Sequence, residues 1–191
     1  MINDKLLLNS LKDYYNDEKN SNELYSILTN NKNISLRSID WFITNYSKKN
    51  NIYYNIYCDN DNNPTFDSKY ELSNTINVFH AYKSQLKAYS KKRFDPFCRR
   101  NRINFTCCGK NIETTIGQLN FFKWAISNLV LEYILLHKKE IENDMNINLK
   151  EMKIQGKINK KPGERKLRQE LSLSATRGLA ITRIPIKLEF N

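Results

Sequence analysis

Residues 114–136 read TTIGQLNFFKWAISNLVLEYILL and carry the longest helical pattern of apolar side chains in the sequence. Leu119, Phe122 and Ile126 recur at intervals of three or four residues, as they would on one face of a helix. Further aromatic and aliphatic side chains widen that face, which is typical of a helix buried in a core. The pattern predicts a core helix over about residues 116–144, whose wide apolar face could also join two copies of the chain as a homo-oligomer.

The residues just before this helix combine a capping signal with a β-hairpin. Thr115 is followed three residues later by Gln118, which is the spacing of a capping box. In that motif, the hydroxyl and the side-chain amide each satisfy a backbone amide at the helix start. The preceding segment RINFTCCGKNIETT (residues 102–115) predicts a hairpin with Gly109 and Lys110 at its tip.

A second hairpin and helix are predicted upstream. The segment IDWFITNYSKKNNIYYNIYC (residues 39–58) alternates between apolar and polar side chains, which favours two strands around a turn near residues 48–51. Residues 59–75 are polar and predict a long loop. Over residues 78–92 the period becomes helical, and a proline shortly afterwards forces a turn.

Together these elements predict an α+β fold with two β-hairpin–helix units, in the order β-β-α-β-β-α. We place this core domain at residues 36–148, behind an N-terminal helical segment at residues 1–35. Residues 149–178 are rich in Lys and Arg and predict a basic flexible linker. Residues 179–191 are strand-like, and Pro185 would confine them to a C-terminal edge strand.

The overall composition excludes several classes of protein. The chain has 191 residues and a formal net charge of +11, and 40% of its residues are hydrophobic, enough for a folded core. No apolar run is long enough to span a membrane, and the first residues lack the pattern of a signal peptide. We therefore expect a soluble intracellular protein without a membrane partner.

Motifs for catalysis and cofactor binding are missing from the sequence. It has no Gly-rich phosphate loop, no dinucleotide fingerprint, no zinc-protease motif and no nucleophile elbow. Its two histidines are His80 and His137, and a partly buried or helix-end role explains either more simply than general-base catalysis. The adjacent Cys107 and Cys108 lack the spacing of zinc ligands. We expect no enzyme activity, no cofactor, no metal and no small-molecule substrate.

Positive charge is concentrated in the later part of the chain. Residues 1–80 hold 8 basic and 10 acidic residues, whereas residues 81–148 hold 12 and 6. Residues 149–191 hold 11 basic and 4 acidic residues. This asymmetry predicts a polyanionic partner for the basic part.

The candidate site is the basic segment between residues 83 and 102, where eight Lys and Arg side chains accompany one acidic residue, Asp95. Lys83, Lys87 and Lys91 recur every four residues, which predicts a stripe along one helix face. Such a density suits a phosphate backbone, because each neutralised phosphate releases condensed counterions. The predicted nucleic-acid contacts are Lys83, Lys87, Lys91, Lys92, Arg93, Arg99, Arg100 and Arg102, with Lys157, Lys160, Lys161, Arg165 and Arg168 as an auxiliary arm. Candidates for stacking on bases are Tyr53, Tyr57, Tyr82 and Tyr89.

Four stretches carry a resemblance to a known family. They are SIDWFITNYSKKNNIYYNI (38–56), VFHAYKSQLKAYSKKRFDPFCRRNRINF (78–105), IETTIGQLNFFKWAI (112–126) and RKLRQELSLSAT (165–176). They resemble an uncharacterised protein family of nucleocytoplasmic large DNA viruses, of mimivirus-like and iridovirus-like type, and FDPFCRR and TTIGQLNFFKWAI are the most specific blocks. The resemblance implies a viral protein with an α+β core, a basic linker and a closing strand. It implies no reaction and no catalytic residues.

The leading hypothesis is a non-enzymatic nucleic-acid-binding protein of a large DNA virus that contacts DNA or RNA largely without sequence specificity. It would act in the host cytoplasm at the viral factory, in the nucleus, or in the virion. The alternative is a virion or viral-factory scaffold protein that works through protein–protein contacts. A third hypothesis is a nuclease or modifying enzyme that uses His80 or His137.

Overall fold

The fold is centred on the helix at Ile116–Ser127, whose side chains are buried on almost every side in the computed structural model of the chain. Leu119, Phe122 and Ala125 have no exposed surface. The structure describes residues 4–29 and 31–158. In chain order the elements are α1 (Asp4–Tyr15), α2 (Glu18–Leu28), α3 (Leu36–Trp41), a π-helical turn (Phe42–Tyr46), α4 (Ser47–Lys49), β1 (Tyr53–Cys58), β2 (Pro64–Thr65), β3 (Glu71–Asn77), α5 (Val78–Arg93), β4 (Arg102–Cys107), β5 (Lys110–Thr115), α6 (Ile116–Ser127), α7 (Val130–Leu136) and α8 (Lys138–Ile158).

The two N-terminal helices pack against α6, in agreement with the helical pattern of the sequence. Leu11 of α1 and Leu24 of α2 are fully buried. The hydroxyl of Tyr15 donates a hydrogen bond of 2.9 Å to the backbone carbonyl of Leu119, inside the core. Burying these apolar side chains is what stabilises short helices that would be marginal alone.

The first strand predicted for the upstream hairpin is wrong, because residues 36–49 are helical. Trp41 and Ile43, which suggested one face of a strand, are buried together with the intervening Phe42. A segment buried on all sides needs no polar face, so its sequence lacks the helical period that would have identified it.

The α+β class is confirmed, and the strands form two antiparallel sheets. In the first sheet β1 lies between β2 and β3, and the ladder runs from Tyr53 opposite Asn77 to Cys58 opposite Glu71. Because β2 and most of β3 fall within residues 59–75, the prediction of a long loop there is wrong in part. The β1–β3 pair is followed by α5 and the β4–β5 pair by α6, so two hairpin–helix units are present.

The β4–β5 hairpin turns one residue earlier than the sequence predicted. Cys107 pairs with Lys110, so the tip consists of Cys108 and Gly109. Both tip residues have positive φ, 52° and 70°. Two successive residues with positive φ are the signature of a type I′ turn, whose twist matches that of the flanking strands.

The single helix predicted over residues 116–144 is also wrong, because the chain breaks there into α6, α7 and α8. Leu129 adopts left-handed geometry (φ 53°, ψ 26°), and the axis bends by 66° between α6 and α7. The apolar face that suggested a homo-oligomer is largely covered by α1, α2 and α5 of the same chain. No single helix in the described part of the chain is long and apolar enough to cross a membrane, while the bent α6–α7 pair meets that test by length and composition only.

Helix α8 extends beyond the predicted core domain. It ends at Ile158, so the first ten residues of the predicted flexible linker, 149–158, are helical. The remainder of the linker at 149–178 and the predicted edge strand at 179–191 lie outside the described residues. The indole nitrogen of Trp41 donates a hydrogen bond of 3.0 Å to Asp144 and ties α8 to α3.

Candidate nucleic-acid interface

The candidate interface contains a cluster of two lysines around one aromatic ring. The ammonium group of Lys83 lies 5.2 Å from the centre of the Phe79 ring, and that of Lys48 lies 5.7 Å from the same centre. Both distances are within the range of cation–π contacts. Lys48 belongs to α4 and Lys83 to α5, so the packing of these two helices brings the cations together. We call Lys48, Phe79 and Lys83 the Phe79 cluster.

The Phe79 cluster has no counter-charge from the part of the chain that the structure describes. Neither lysine forms an ion pair with a carboxylate there. Two ammonium groups close to one ring repel each other, and an anion bound near them would relieve that repulsion.

The predicted lysine stripe ends before Lys91. Ser90 has φ 58° and ψ 166°, which interrupts α5 between Lys87 and Lys91. The interval of four residues therefore no longer places Lys91 above Lys87, because that relation holds only in continuous helix. The prediction of one stripe formed by Lys83, Lys87 and Lys91 is wrong for its last member.

Two arginines of the basic segment are paired with distant carboxylates of the same chain. Arg93 pairs with Asp4 of α1, and Arg102 pairs with Glu113 on the neighbouring strand β5. The hydrogen bond from Arg102 to Glu113 raises the pKa of that guanidinium. These arginines are partly neutralised before any ligand arrives.

Arg99 is held by a third carboxylate. Its Nε and Nη2 atoms donate to the two oxygens of Asp95 at 3.1 and 3.0 Å, which is a bidentate pair. Its guanidinium also lies 4.5 Å from the centre of the Phe97 ring. Asp95 is 7% exposed and also accepts the backbone N–H of Phe97 at 3.0 Å. The aspartate thus fixes both the turn and the arginine.

The turn that carries these arginines is bound to the start of α6. The backbone N–H of Asp95 donates to the carbonyl of Gly117 at 3.2 Å, and the side-chain amide of Asn120 donates to the carbonyl of Arg93 at 2.9 Å. The side-chain amide of Gln118 donates to the carbonyl of Pro96 at 2.9 Å. This arrangement joins the two most specific sequence blocks, FDPFCRR and TTIGQLNFFKWAI, in space.

The remaining predicted cations differ in exposure. Lys87, Lys92 and Arg100 are exposed, and within the described ranges none of them pairs with a carboxylate. Lys91 is half-buried. Lys157 falls within α8, whereas Lys160, Lys161, Arg165 and Arg168 lie outside the described residues.

Of the four tyrosines predicted as stacking candidates, Tyr53 presents the most surface. It is 67% exposed, whereas Tyr82 is 3% exposed and lies in the core. Tyr89 stacks on Phe94 with ring centres 6.4 Å apart. Tyr53 is opposite Asn77 in the ladder, and Asn77 caps the start of α5. An exposed ring therefore lies close to the beginning of the helix that carries the Phe79 cluster.

Among the described residues, neither histidine is paired with the other or with a nucleophilic side chain. His80 is exposed, and its ring lies edge-on to Phe79 with centres 5.8 Å apart. His137 stacks on Tyr133 at 4.4 Å, and its Nδ1 atom is 3.5 Å from Glu140. In the described ranges no three His, Cys, Asp or Glu side chains are grouped as metal ligands would be.

Sequence reasoning missed Lys48. The sequence pattern predicts a turn between strands at Lys48 and Lys49, remote from the basic segment. Lys49 pairs with Asp144 at 2.6 Å, and Lys48 points to Phe79 instead. Only the helical packing of residues 36–49 against α5 reveals this contact.

The comparisons with known proteins place the chain in a family. The model of a family of unknown function, DUF7197, matches residues 2–176. The chain therefore belongs to this family.

The chain is also similar to "Uncharacterized protein L507" of Acanthamoeba polyphaga mimivirus, with 43% identity over 136 residues. The match covers 68% of this chain and 48% of the relative, so the chain spans about half the length of the protein it matches. This similarity confirms the resemblance to a family of large DNA viruses. No solved structure matches the chain.

Proposed function

We propose that this chain is a non-enzymatic nucleic-acid-binding protein of a large DNA virus, which contacts phosphates largely without reading sequence. The observation that carries the proposal is the Phe79 cluster, two lysines that contact one aromatic ring and lack a carboxylate partner among the described residues. A phosphate is the anion that such a site would meet on a nucleic acid.

We do not place the main contact surface on the turn at residues 93–102, because most of its arginines pair with carboxylates of the same chain. Arg93, Arg99 and Arg102 already satisfy carboxylates, and a phosphate would have to compete with those pairs. Lys48, Lys83 and the exposed Lys87 have no such competition within the described ranges. We therefore assign the main phosphate contacts to the α4–α5 face and an auxiliary role to Arg100.

The exposed ring of Tyr53 supports the proposal that the protein binds single-stranded nucleic acid in preference to a duplex. Tyr53 lies near the start of α5, and aromatic rings stack on unpaired bases irrespective of their identity. Phosphate contacts position a chain on its partner and carry no sequence information. Together they favour binding that tolerates many sequences.

A salt titration with matched variants tests this function. Binding of a fluorescent single-stranded oligonucleotide is followed by anisotropy at increasing salt for the full chain, for Lys48→Gln/Lys83→Gln and for Lys69→Gln/Lys110→Gln. Both double variants lose two charges, but the second pair lies elsewhere, with Lys69 between β2 and β3 and Lys110 at the start of β5. We expect the slope of log K against log salt to become shallower by about 1.4 in the first variant only, because each phosphate contact to a single strand contributes about 0.7.

Three outcomes would contradict the proposal. Affinity that does not depend on salt would exclude phosphate contacts. Equal weakening by both double variants would exclude the Phe79 cluster as the contact. A large assembly in sedimentation that ignores the oligonucleotide would favour a scaffold protein instead.

A further inference from the structure

A cavity of about 820 Å³ lies between the N-terminal helices, the three-stranded sheet and the break between α6 and α7. Its volume is in the range of sites that bind small molecules. Tyr14, Phe66 and Leu129 contribute apolar and aromatic wall, and several Asn and Ser side chains contribute polar groups. The cavity shares no residue with the Phe79 cluster, so it is a separate feature of the fold.

Among the described residues that line this cavity, acidic side chains outnumber basic ones, although the chain as a whole has a net charge of +11. Asp17, Glu23 and Glu132 line it, and Lys19 is the cation in its wall. Asp17 already caps α2, and Glu23 pairs with Lys32. Glu132 is the carboxylate whose charge is least compensated.

Glu132 lies in the first turn of α7 and is largely withdrawn from solvent. Its Oε2 atom is buried and has no hydrogen-bond partner among the described residues. Burial raises the pKa of this carboxyl group and the nearby charge of Glu23 adds to the effect, while a hydrogen bond from the backbone N–H of Glu132 and the charges of Lys32 and Lys19 oppose it. The other carboxylate oxygen is served by the backbone N–H of Glu132 itself, but leaving Oε2 without a partner costs free energy, which a positively charged group in the cavity would help to recover.

The backbone next to Glu132 is strained and is fixed by a hydrogen bond. Leu129 has positive φ, an unfavourable geometry for a residue with a side chain, three positions before the glutamate. The hydroxyl of Tyr54 donates to the carbonyl of Asn128 at 2.7 Å and fixes the bend. Strained backbone that is held by its surroundings is concentrated at ligand sites.

We propose that this cavity binds a small organic cation, with an amidinium or ammonium group near Glu132 and a flat apolar body between the aromatic walls. The carboxylate supplies the counter-charge, and Tyr14 and Phe66 supply the apolar contact. Asn62 and Asn74 line the same cavity and supply amide groups for polar substituents. The site does not depend on nucleic-acid binding, since none of its residues belongs to the proposed phosphate-contact face.

Benzamidine and benzamide test the proposal, because they share a shape and differ in charge. Binding of each to the full chain is measured by calorimetry and by chemical-shift changes of cavity residues. We expect saturable binding of benzamidine and about tenfold weaker binding of benzamide, since a charge-assisted hydrogen bond contributes roughly one factor of ten. Glu132→Gln should reduce benzamidine affinity by about the same factor, and Glu151→Gln on the exposed side of α8 should not change it.

Several results would overturn the proposal. Absence of benzamidine binding at millimolar concentration, or equal binding of both compounds, would exclude a site for cations. Tighter binding of guanosine than of benzamidine would show recognition of a nucleobase instead. Tighter binding of N-acetylarginine amide would assign the cavity to an arginine of a polypeptide. Because the oligonucleotide assay uses other residues, either proposal can fail alone.

Discussion

The side-chain amide of Gln118 donates a hydrogen bond of 2.9 Å to the backbone carbonyl of Pro96, across 22 residues of sequence. The Oε1 atom of the same glutamine accepts the hydroxyl of Thr114 at 2.8 Å. The side chain is 2% exposed, so both of its polar ends are satisfied inside the protein. The capping-box prediction was therefore only half right. Thr115 does accept the N–H of Gln118 at 3.1 Å, but the glutamine side chain binds the basic turn and not the helix start.

Replacing Gln118 with Ala should destabilise the fold by about 2 kcal/mol, because the Pro96 carbonyl would lose its donor in a buried position. Urea denaturation measures the change. The same substitution at Gln85, which is half-buried on α5, is the control and should change stability by less than about 0.5 kcal/mol. Equal effects of the two substitutions would show that the contact between Gln118 and Pro96 adds nothing to stability.

Gly117 lies where α6 meets the basic turn, and replacing it with Ala should lower the melting temperature. The added Cβ would lie 3.1 Å from the carbonyl oxygen of Lys92 and 3.4 Å from the backbone nitrogen of Phe94. These are backbone atoms of a turn that Asn120 holds, so the steric cost of roughly 1–3 kcal/mol should exceed the gain of about 1 kcal/mol in helix propensity. Calorimetry should show a net decrease of a few degrees, about 2–4 °C for each kcal/mol.

Gly109 provides the comparison for this prediction. Nothing lies within 4 Å of a Cβ built there, and its φ of 70° is a geometry that Asn tolerates. Gly109→Asn should therefore change the melting temperature much less than Gly117→Ala. If Gly117→Ala is instead as stable as the unmodified chain, the backbone at residues 92–94 can shift to accommodate the added methyl group at little cost in free energy.

The sequence predicted the elements that have one apolar and one polar face. In α5, Phe79 and Tyr82 are buried while Lys87 is exposed, and this contrast is visible as a helical period. The residues around Phe42 are buried on all sides, so no period separates helix from strand there. The break at Leu129 gave no signal either, since leucine is not a residue that ordinarily adopts positive φ.

The candidate site was less predictable than the fold because its charges are paired across long distances in the sequence. Asp4 and Arg93 are 89 residues apart, and only the packing of the N-terminal helices brings them together. The local pair of Arg99 with Asp95, by contrast, is four residues apart and could have been expected. Counting charges in the segment therefore overstated how many cations are available to a ligand.

Glu113 restrains Arg102 in the free protein, so Glu113→Gln should strengthen nucleic-acid binding if the proposed function is right. The substitution removes one negative charge and releases an exposed guanidinium. We expect tighter binding at low salt and a slope of log K against log salt that is steeper by about 0.7 for a single strand. Glu71→Gln, which alters an exposed carboxylate on β3, makes the same change in net charge and is the control. A gain of equal size in the control would attribute the effect to net charge alone.

Glu132→Gln should make the protein more stable at neutral pH, and the advantage should grow as pH rises. Burial raises the pKa of Glu132 above the ordinary value of 4.5, so the folded state binds this proton more tightly than the unfolded state does. Stability then falls as pH rises from 4.5 through the raised pKa, because the folded state must carry a buried charge. Glutamine cannot ionise and escapes that loss. Urea denaturation between pH 4 and pH 8 should therefore show curves for the variant and the unmodified chain that diverge with pH, whereas Glu151→Gln should follow the unmodified chain. Parallel curves for Glu132→Gln would mean that the carboxyl group is as well solvated in the folded protein as in the unfolded one.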